Sequence, residues 1–144
     1  MIVLLQRVQQ ASVHVSGQCV ANISQGILAL VGVQSNDNQD TAEHFITRII
    51  NYRLFSDDQG KMNLSLVNIE GGLLLVPQFT LAANTSKGRR PGFTSAAQPA
   101  LGESVFRSME AFARNSYALV ETGLFGADMA VHLINDGPVT FILD

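Results

Sequence analysis

The chain has 144 residues, 47% of them apolar and only 15% charged, with a formal net charge of −3. That length suits one compact domain with a filled core and is too short for two. The acidic balance argues against a protein that coats nucleic acid indiscriminately but leaves room for a local basic patch, and the low charged fraction points to a well-filled core and to apolar surface hidden at a subunit interface.

Met1 to Val8 reads as a buried strand, and its apolar run is too short for a signal peptide or a membrane span. Cys19 is the only cysteine, which rules out an intrachain disulfide. The expectation is a cytoplasmic protein with no membrane partner. Ala11 to Val15 alternates, with Val13 and Val15 on one face and Ser12 and His14 on the other. Ser16-Gly17 is a turn signal that sends Gln18 to Ile23 back as a hairpin arm. Ser24 to Gly26 turns the chain again, and Ile27 to Val33 is apolar enough to be covered on both faces.

After a polar loop, Asp40 with Glu43 resembles a capping box. Ala42, Phe45, Ile46, Ile49 and Ile50 then follow at helical spacing to about Tyr52. Asp57 to Gly60 is a turn, and Leu73 to Val76 is a buried strand ending in Pro77. Asn84 to Thr94 is a loop rich in Gly, Arg, Lys and Pro. A second helix is predicted from Gln98 to about Asn115, with Leu101, Val105, Met109 and Phe112 facing inward. Ala127 to Ile134 reads as a strand, Asn135 to Pro138 as a turn and Val139 to Leu143 as a closing strand. With no repeat or linker, residues 1–144 are predicted to form a single α+β domain with two main helices and largely antiparallel strands.

Familiar catalytic kits are missing. There is no glycine-rich phosphate loop before a helix, and no G-x-S-x-G elbow. His14, His44 and His132 are not at metal-ligand spacing, and one cysteine cannot build a thiolate zinc site. Two segments stand out. Pro77-Gln78-Phe79-Thr80-Leu81 ends a buried strand, where free backbone N–H groups can stabilise an oxyanion; the pattern equally fits Phe79 and Leu81 as core with Gln78 and Thr80 facing water. Asn135 to Thr140 contains Gly137-Pro138, an X-Pro bond in a turn context.

Together with the Met-Ile-x-Leu-Leu-Gln-Arg-Val opening, these segments resemble the D-aminoacyl-tRNA deacylase family, with its Ser-Gln-Phe-Thr-Leu and Asn-x-Gly-Pro-x-Thr motifs. Tyr52 to Asp57, Gly60 to Asn63, Arg90-Pro91-x-Phe93 and Ala127-Asp128-Met129 match as well, and the likeness runs from residue 1 to 144. One departure is Pro77, where the family has serine; proline offers neither hydroxyl nor N–H.

The resemblance implies a β-barrel-like homodimer, with the active site shared across the interface. The implied activity is hydrolysis of the ester of D-aminoacyl-tRNA, and of glycyl-tRNA mischarged on tRNA(Ala), with L-aminoacyl-tRNA rejected. Gln78, Phe79 and Thr80 are the implied catalytic residues. Gly137 and Pro138, as a cis peptide reaching into the partner's pocket, are the implied chiral selector, with Met129 and Arg7 grouped with them and Arg7 bracing the Gly-Pro segment.

Two mechanisms stay open. Thr80 Oγ attacks the ester, which needs a base; or the Phe79 and Thr80 N–H groups polarise the carbonyl while the tRNA's terminal 2′-hydroxyl assists water, the preferred reading. Neither needs a metal or other cofactor. Lys87, Arg89 and Arg90 are candidates for tRNA phosphates or an ordinary solvated loop; no DNA partner is expected. The rival readings are a different small esterase on this scaffold, and a non-catalytic RNA-binding or assembly module.

Overall fold

Unbroken apolar runs, Ile27 to Val31 and Leu73 to Val76, give the central strands two covered faces, and this decides the architecture. The computed structural model describes residues 1–86 and 88–144. Its strands are β1 (Ile2–Val15), β2 (Gln18–Ile23), β3 (Gly26–Gly32), β4 (Phe55–Ser56), β5 (Met62–Leu64), β6 (Gly72–Pro77), β7 (Val120–Thr122) and β8 (Ala130–Leu143). The helices are α1 (Gln39–Asn51), the short α2 (Leu66–Ile69) and α3 (Pro99–Ser116). The main sheet runs β2-β1-β3-β6-β7, with β8 along the other edge of β1.

Pairing is mixed. The bonds of β1 to β2, β3 and β8 are antiparallel, as is β4 with β5, but β3–β6 and β6–β7 are parallel. The parallel pairs follow from the chain's route, since α1 lies between β3 and β6 and α3 between β6 and β7. The sheet curls until β2 touches β6 and β7, giving a nearly closed barrel.

Period-two alternation sorts the side chains. Ile27, Ala29, Val31, Leu73 and Leu75 meet the helices in one core with Ile46, Ile49, Phe106 and Met109. Leu28, Leu74 and Val76 point the other way, into the barrel, against Val13, Ala21 and Ile23. The strand β1 serves both cores. Val3 and Leu5 face the helices; Val8, of the opposite parity, faces the barrel interior, and an extra residue between Val8 and Gln10 then brings Ala11 and Val13 to that same side.

Several boundaries differ from the sequence reading. The cap of α1 is Asn38, whose side chain accepts from the Thr41 N–H, so the reciprocal box is Asn38–Thr41 and not Asp40–Glu43. Asp40 lies in the first turn, where its charge favours the helix dipole. In α3, Val105, Phe106 and Met109 are buried, while Leu101 is exposed and Phe112 only half-buried. The largest difference is at the C-terminal end: a single strand, β8, runs through the segment read as a turn.

Candidate active site

Four successive buried side chains, Leu73 to Val76, carry β6 through the protein to Pro77, which pairs with Val31 at the strand's last position. One further rung follows, from the Gln78 N–H to the Val31 carbonyl (2.7 Å). The chain then tightens into a 3-10 turn over Phe79–Ala82, closed by Leu81 N–H to Gln78 O and Ala83 N–H to Thr80 O (both 3.1 Å). The first N–H groups of such a turn have no partner within it. Those of Phe79 and Thr80 accordingly have no acceptor among the described residues. The Gln78 N–H is spent on the sheet.

Thr80 is exposed, and its Oγ1 is hydrogen-bonded to the Gln78 side-chain amide. An amide is no base at neutral pH, so nothing in this arrangement would take the hydroxyl proton. Beside the turn lies a cavity of about 460 Å³. Pro77, Gln78 and Phe79 form one wall, and Phe125, Asp128 and Met129 another. Gly123 leaves room for the Met129 side chain, because a Cβ there would stand 2.8 Å from Met129 Sδ. Pro77 thus presents an apolar ring where a serine would present a hydroxyl.

The Gly137-Pro138 segment lies elsewhere in the same chain. Opposite Gln6 to Val8 on β1, β8 runs from Thr140 back to Asn135, so it carries three more residues than its partner and bows outward. The peptide bond of Gly137-Pro138 is cis, and both residues are exposed. Side chains pin the base of this arch. Val139 N–H donates to Asn135 Oδ1 (2.7 Å), and Asn135 Nδ2 donates to Thr140 Oγ1 (3.0 Å) and the Val139 carbonyl (3.3 Å). Arg7 donates from Nε to the Asp136 carbonyl (2.9 Å) and from Nη1 to the Leu54 carbonyl (2.8 Å), with the Asp136 carboxylate 3.5 Å away. Glycine is required at 137: φ is +137°, and a Cβ would meet Val139 Cγ2 at 2.7 Å and Arg7 Nη2 at 3.0 Å.

The structure thus groups Gln78, Phe79 and Met129 around one cavity with Thr80 next to it, and groups Arg7 with Gly137 and Pro138; neither Arg7 nor the arch lines the cavity. Arg89 and Arg90 are exposed and make no ion pair among the described residues, whereas Lys87 lies outside them. Among the described residues no group of three His, Cys, Asp or Glu side chains is placed to hold a metal ion. No helix is long and apolar enough to cross a membrane. Phe125 was not singled out by sequence, and Asp128 was named only within the Ala127-Asp128-Met129 match.

Known proteins match this arrangement closely. The D-Tyr-tRNA(Tyr) deacylase family profile matches residues 4–144. A D-aminoacyl-tRNA deacylase of Pseudomonas aeruginosa (strain LESB58) is 57% identical over 141 residues, covering 98% of this chain and 97% of the relative. One from Pseudoalteromonas atlantica is 53% identical over 144 residues, covering 100% and 99%. Among solved structures, one titled c-Myc DNA Unwinding Element Binding Protein superposes with a TM-score of 0.95 at 38% identity, covering 100% of this chain and 98% of that one. A probable eukaryotic D-amino acid tRNA deacylase shares the fold, with a TM-score of 0.85 at 18% identity and coverage of 99% and 97%.

Proposed function

Because the chain belongs to the D-Tyr-tRNA(Tyr) deacylase family, we propose that it hydrolyses the ester joining a D-amino acid to its tRNA, and does so without a protein nucleophile. The observation that carries this is the pair of unpartnered N–H groups, Phe79 and Thr80, beside a cavity, next to a threonine hydroxyl that has only an amide for company. An ester is already activated. Two donors aimed at its carbonyl oxygen stabilise the charge that develops there, and the terminal 2′-hydroxyl of the tRNA assists the attacking water. Thr80 positions the ester.

Stereochemical selection falls to the arch of a second copy. Each chain carries the cavity and the arch apart, and the exposed apolar side chains Leu133, Ile134 and Ile142 on β8 suit a buried interface between copies. In the assembled homodimer the carbonyls of Gly137 and Pro138 receive the substrate's α-amino group. An L side chain then meets backbone held by Arg7 and Asn135, which cannot swing aside, while a D side chain points outward. Glycine has no side chain to refuse, so glycyl-tRNA mischarged on tRNA(Ala) is also a substrate.

Arg89 and Arg90, with Lys87, approach the RNA phosphates. Nine Lys and Arg against twelve Asp and Glu offer little of the charge neutralisation that duplex DNA binding relies on. Action on aminoacyl-tRNA supports a cytoplasmic location. Assaying D-Tyr-tRNA and L-Tyr-tRNA side by side tests the reading: the D ester is released and the L ester spared. Equal release of both would point to an unselective esterase, and release of neither to a non-catalytic RNA-binding module.

A further inference from the structure

An aromatic pair at the mouth of the cavity is left unused by the hydrolytic step. Phe79 is 57% exposed and Phe93 40%, with ring centroids 5.2 Å apart and planes at 50°. The same chain buries Phe45, Phe55 and Phe106 almost completely, so this openness is particular to the mouth. The local backbone holds the pair in place. Asn84 and Gly92 exchange two backbone hydrogen bonds (2.7 and 3.0 Å), closing the neck of the loop and delivering Phe93 at its base. Ala96 N–H to Phe93 O (3.1 Å) then closes a turn in the returning chain, and Ser95 Oγ to Ala82 O ties that chain to the end of the 3-10 turn. Arg89 and Arg90 stand exposed on the same loop.

Open aromatic faces beside guanidinium groups are the chemistry that binds unpaired nucleotides: bases stack on the rings and phosphates meet the cations. The cavity sits immediately inward of the pair, with Phe79 common to both. If the ester enters the cavity, the polynucleotide must leave past its rim, which Phe79 helps to form. We propose that Phe93, with Phe79 beside it, is a stacking shelf for an unpaired base of the tRNA's single-stranded 3′ end, upstream of the terminal nucleoside, and that Arg89 and Arg90 face the adjoining phosphates. The shelf rests on the reading of the chain as a deacylase of aminoacyl-tRNA. Phe79 contributes its N–H to the reaction, so Phe93 is the side chain that isolates the shelf.

The test compares kcat/KM for D-tyrosyl-tRNA and for D-tyrosyl-adenosine, which lacks every upstream nucleotide, in wild type, Phe93→Ala and Phe93→Trp. Inhibition of tRNA deacylation by the trinucleotide CCA relative to adenosine monophosphate gives the same contrast without hydrolysis of the short ester. Phe93→Ala is expected to lower kcat/KM for the tRNA about tenfold more than for the adenosine ester, mainly through KM, and to weaken CCA inhibition by a similar factor. Phe93→Trp, which keeps a stacking face, restores both. Equal losses on the two substrates, no loss on either, or conversion of Phe93→Ala to a monomer by light scattering would overturn the shelf alone. Wild-type protein that hydrolyses neither substrate would overturn the deacylase reading and the shelf with it.

Discussion

The cavity and the arch reach chemically useful backbone by opposite routes. At the cavity a strand simply stops: β6 is paired with β7 as far as Leu75 and with β3 as far as Pro77, one more rung to β3 forms at Gln78, and the next two N–H groups are left free. No side chain is needed to expose them. At the arch the strand does not stop. It carries three extra residues, and side chains from Asn135 and Arg7 supply the bonds that the sheet no longer provides. The cavity's geometry is therefore inherited from a buried core and should tolerate side-chain changes at its rim. The arch depends on individual side chains and should not.

Substitution inside the arch is expected to have the largest effect. Gly137→Val forces a side chain into a left-handed position already crowded by Val139 and Arg7. Because displacing a substrate-holding group by about 1 Å costs about 10²-fold, kcat/KM on D-Tyr-tRNA should fall by at least that much, while circular dichroism stays that of wild type. Unimpaired activity would remove the arch from the site. Arg7→Ala should come next. It strips donors from the Asp136 and Leu54 carbonyls, a loss of about 1–3 kcal/mol in denaturant unfolding, together with weaker discrimination between D and L esters. Arg7→Lys should recover only part, because an ammonium lacks the planar fork that reaches two carbonyls.

At the cavity rim, Thr80→Ala is expected to cost less than about tenfold in kcat, against a loss of roughly 10⁴-fold or more for a removed nucleophile. Trapping of an acyl-enzyme on Thr80 by mass spectrometry would reverse this assignment. The smallest effect belongs away from both regions. Tyr117 donates to the Gly71 carbonyl (2.6 Å), and burial, reinforced by Glu70, raises its phenol above its ordinary 10.0. A raised folded value means that this contribution is complete below about pH 10 and is lost as pH rises through the folded value. Alkaline unfolding curves of Tyr117→Phe should lack that component, with deacylation at neutral pH unaltered.

What could be read from sequence follows the same divide. Unbroken apolar residues from Leu73 to Val76 announced the buried strand, and the helical spacing of Phe45, Ile46 and Ile49 announced the face of α1, because both are properties of a residue's near neighbours. The arch was read as a turn between two strands. Asn-Asp-Gly-Pro has that local propensity, and only the pairing of β8 with β1, more than a hundred residues away in sequence, carries one strand through it. For Arg7 the resemblance implied a brace on the Gly-Pro segment; that its donors meet the carbonyls of residues 54 and 136 depends on contacts distant in sequence. The roles of Gln78 to Thr80 came from resemblance; the pattern alone allowed Phe79 as core, yet it is open to solvent. Phe93 was overlooked as a separate feature, although an aromatic in an arginine-rich loop was a visible cue.

Under the proposed function a working site needs the cavity of one chain and the arch of another. Subunit mixing tests it most directly. Gly137→Val disables the arch, and Ala127→Trp fills the cavity from its rim, where Ala127 is a lining residue. Each variant alone should be nearly inactive. Co-expressed from differently tagged genes, the mixed dimer has one site in which both halves are intact, so a random mixture should recover about a quarter of wild-type activity on D-Tyr-tRNA. A mixture no more active than either variant alone, although the mixed dimer is isolated by its two tags, would contradict the account.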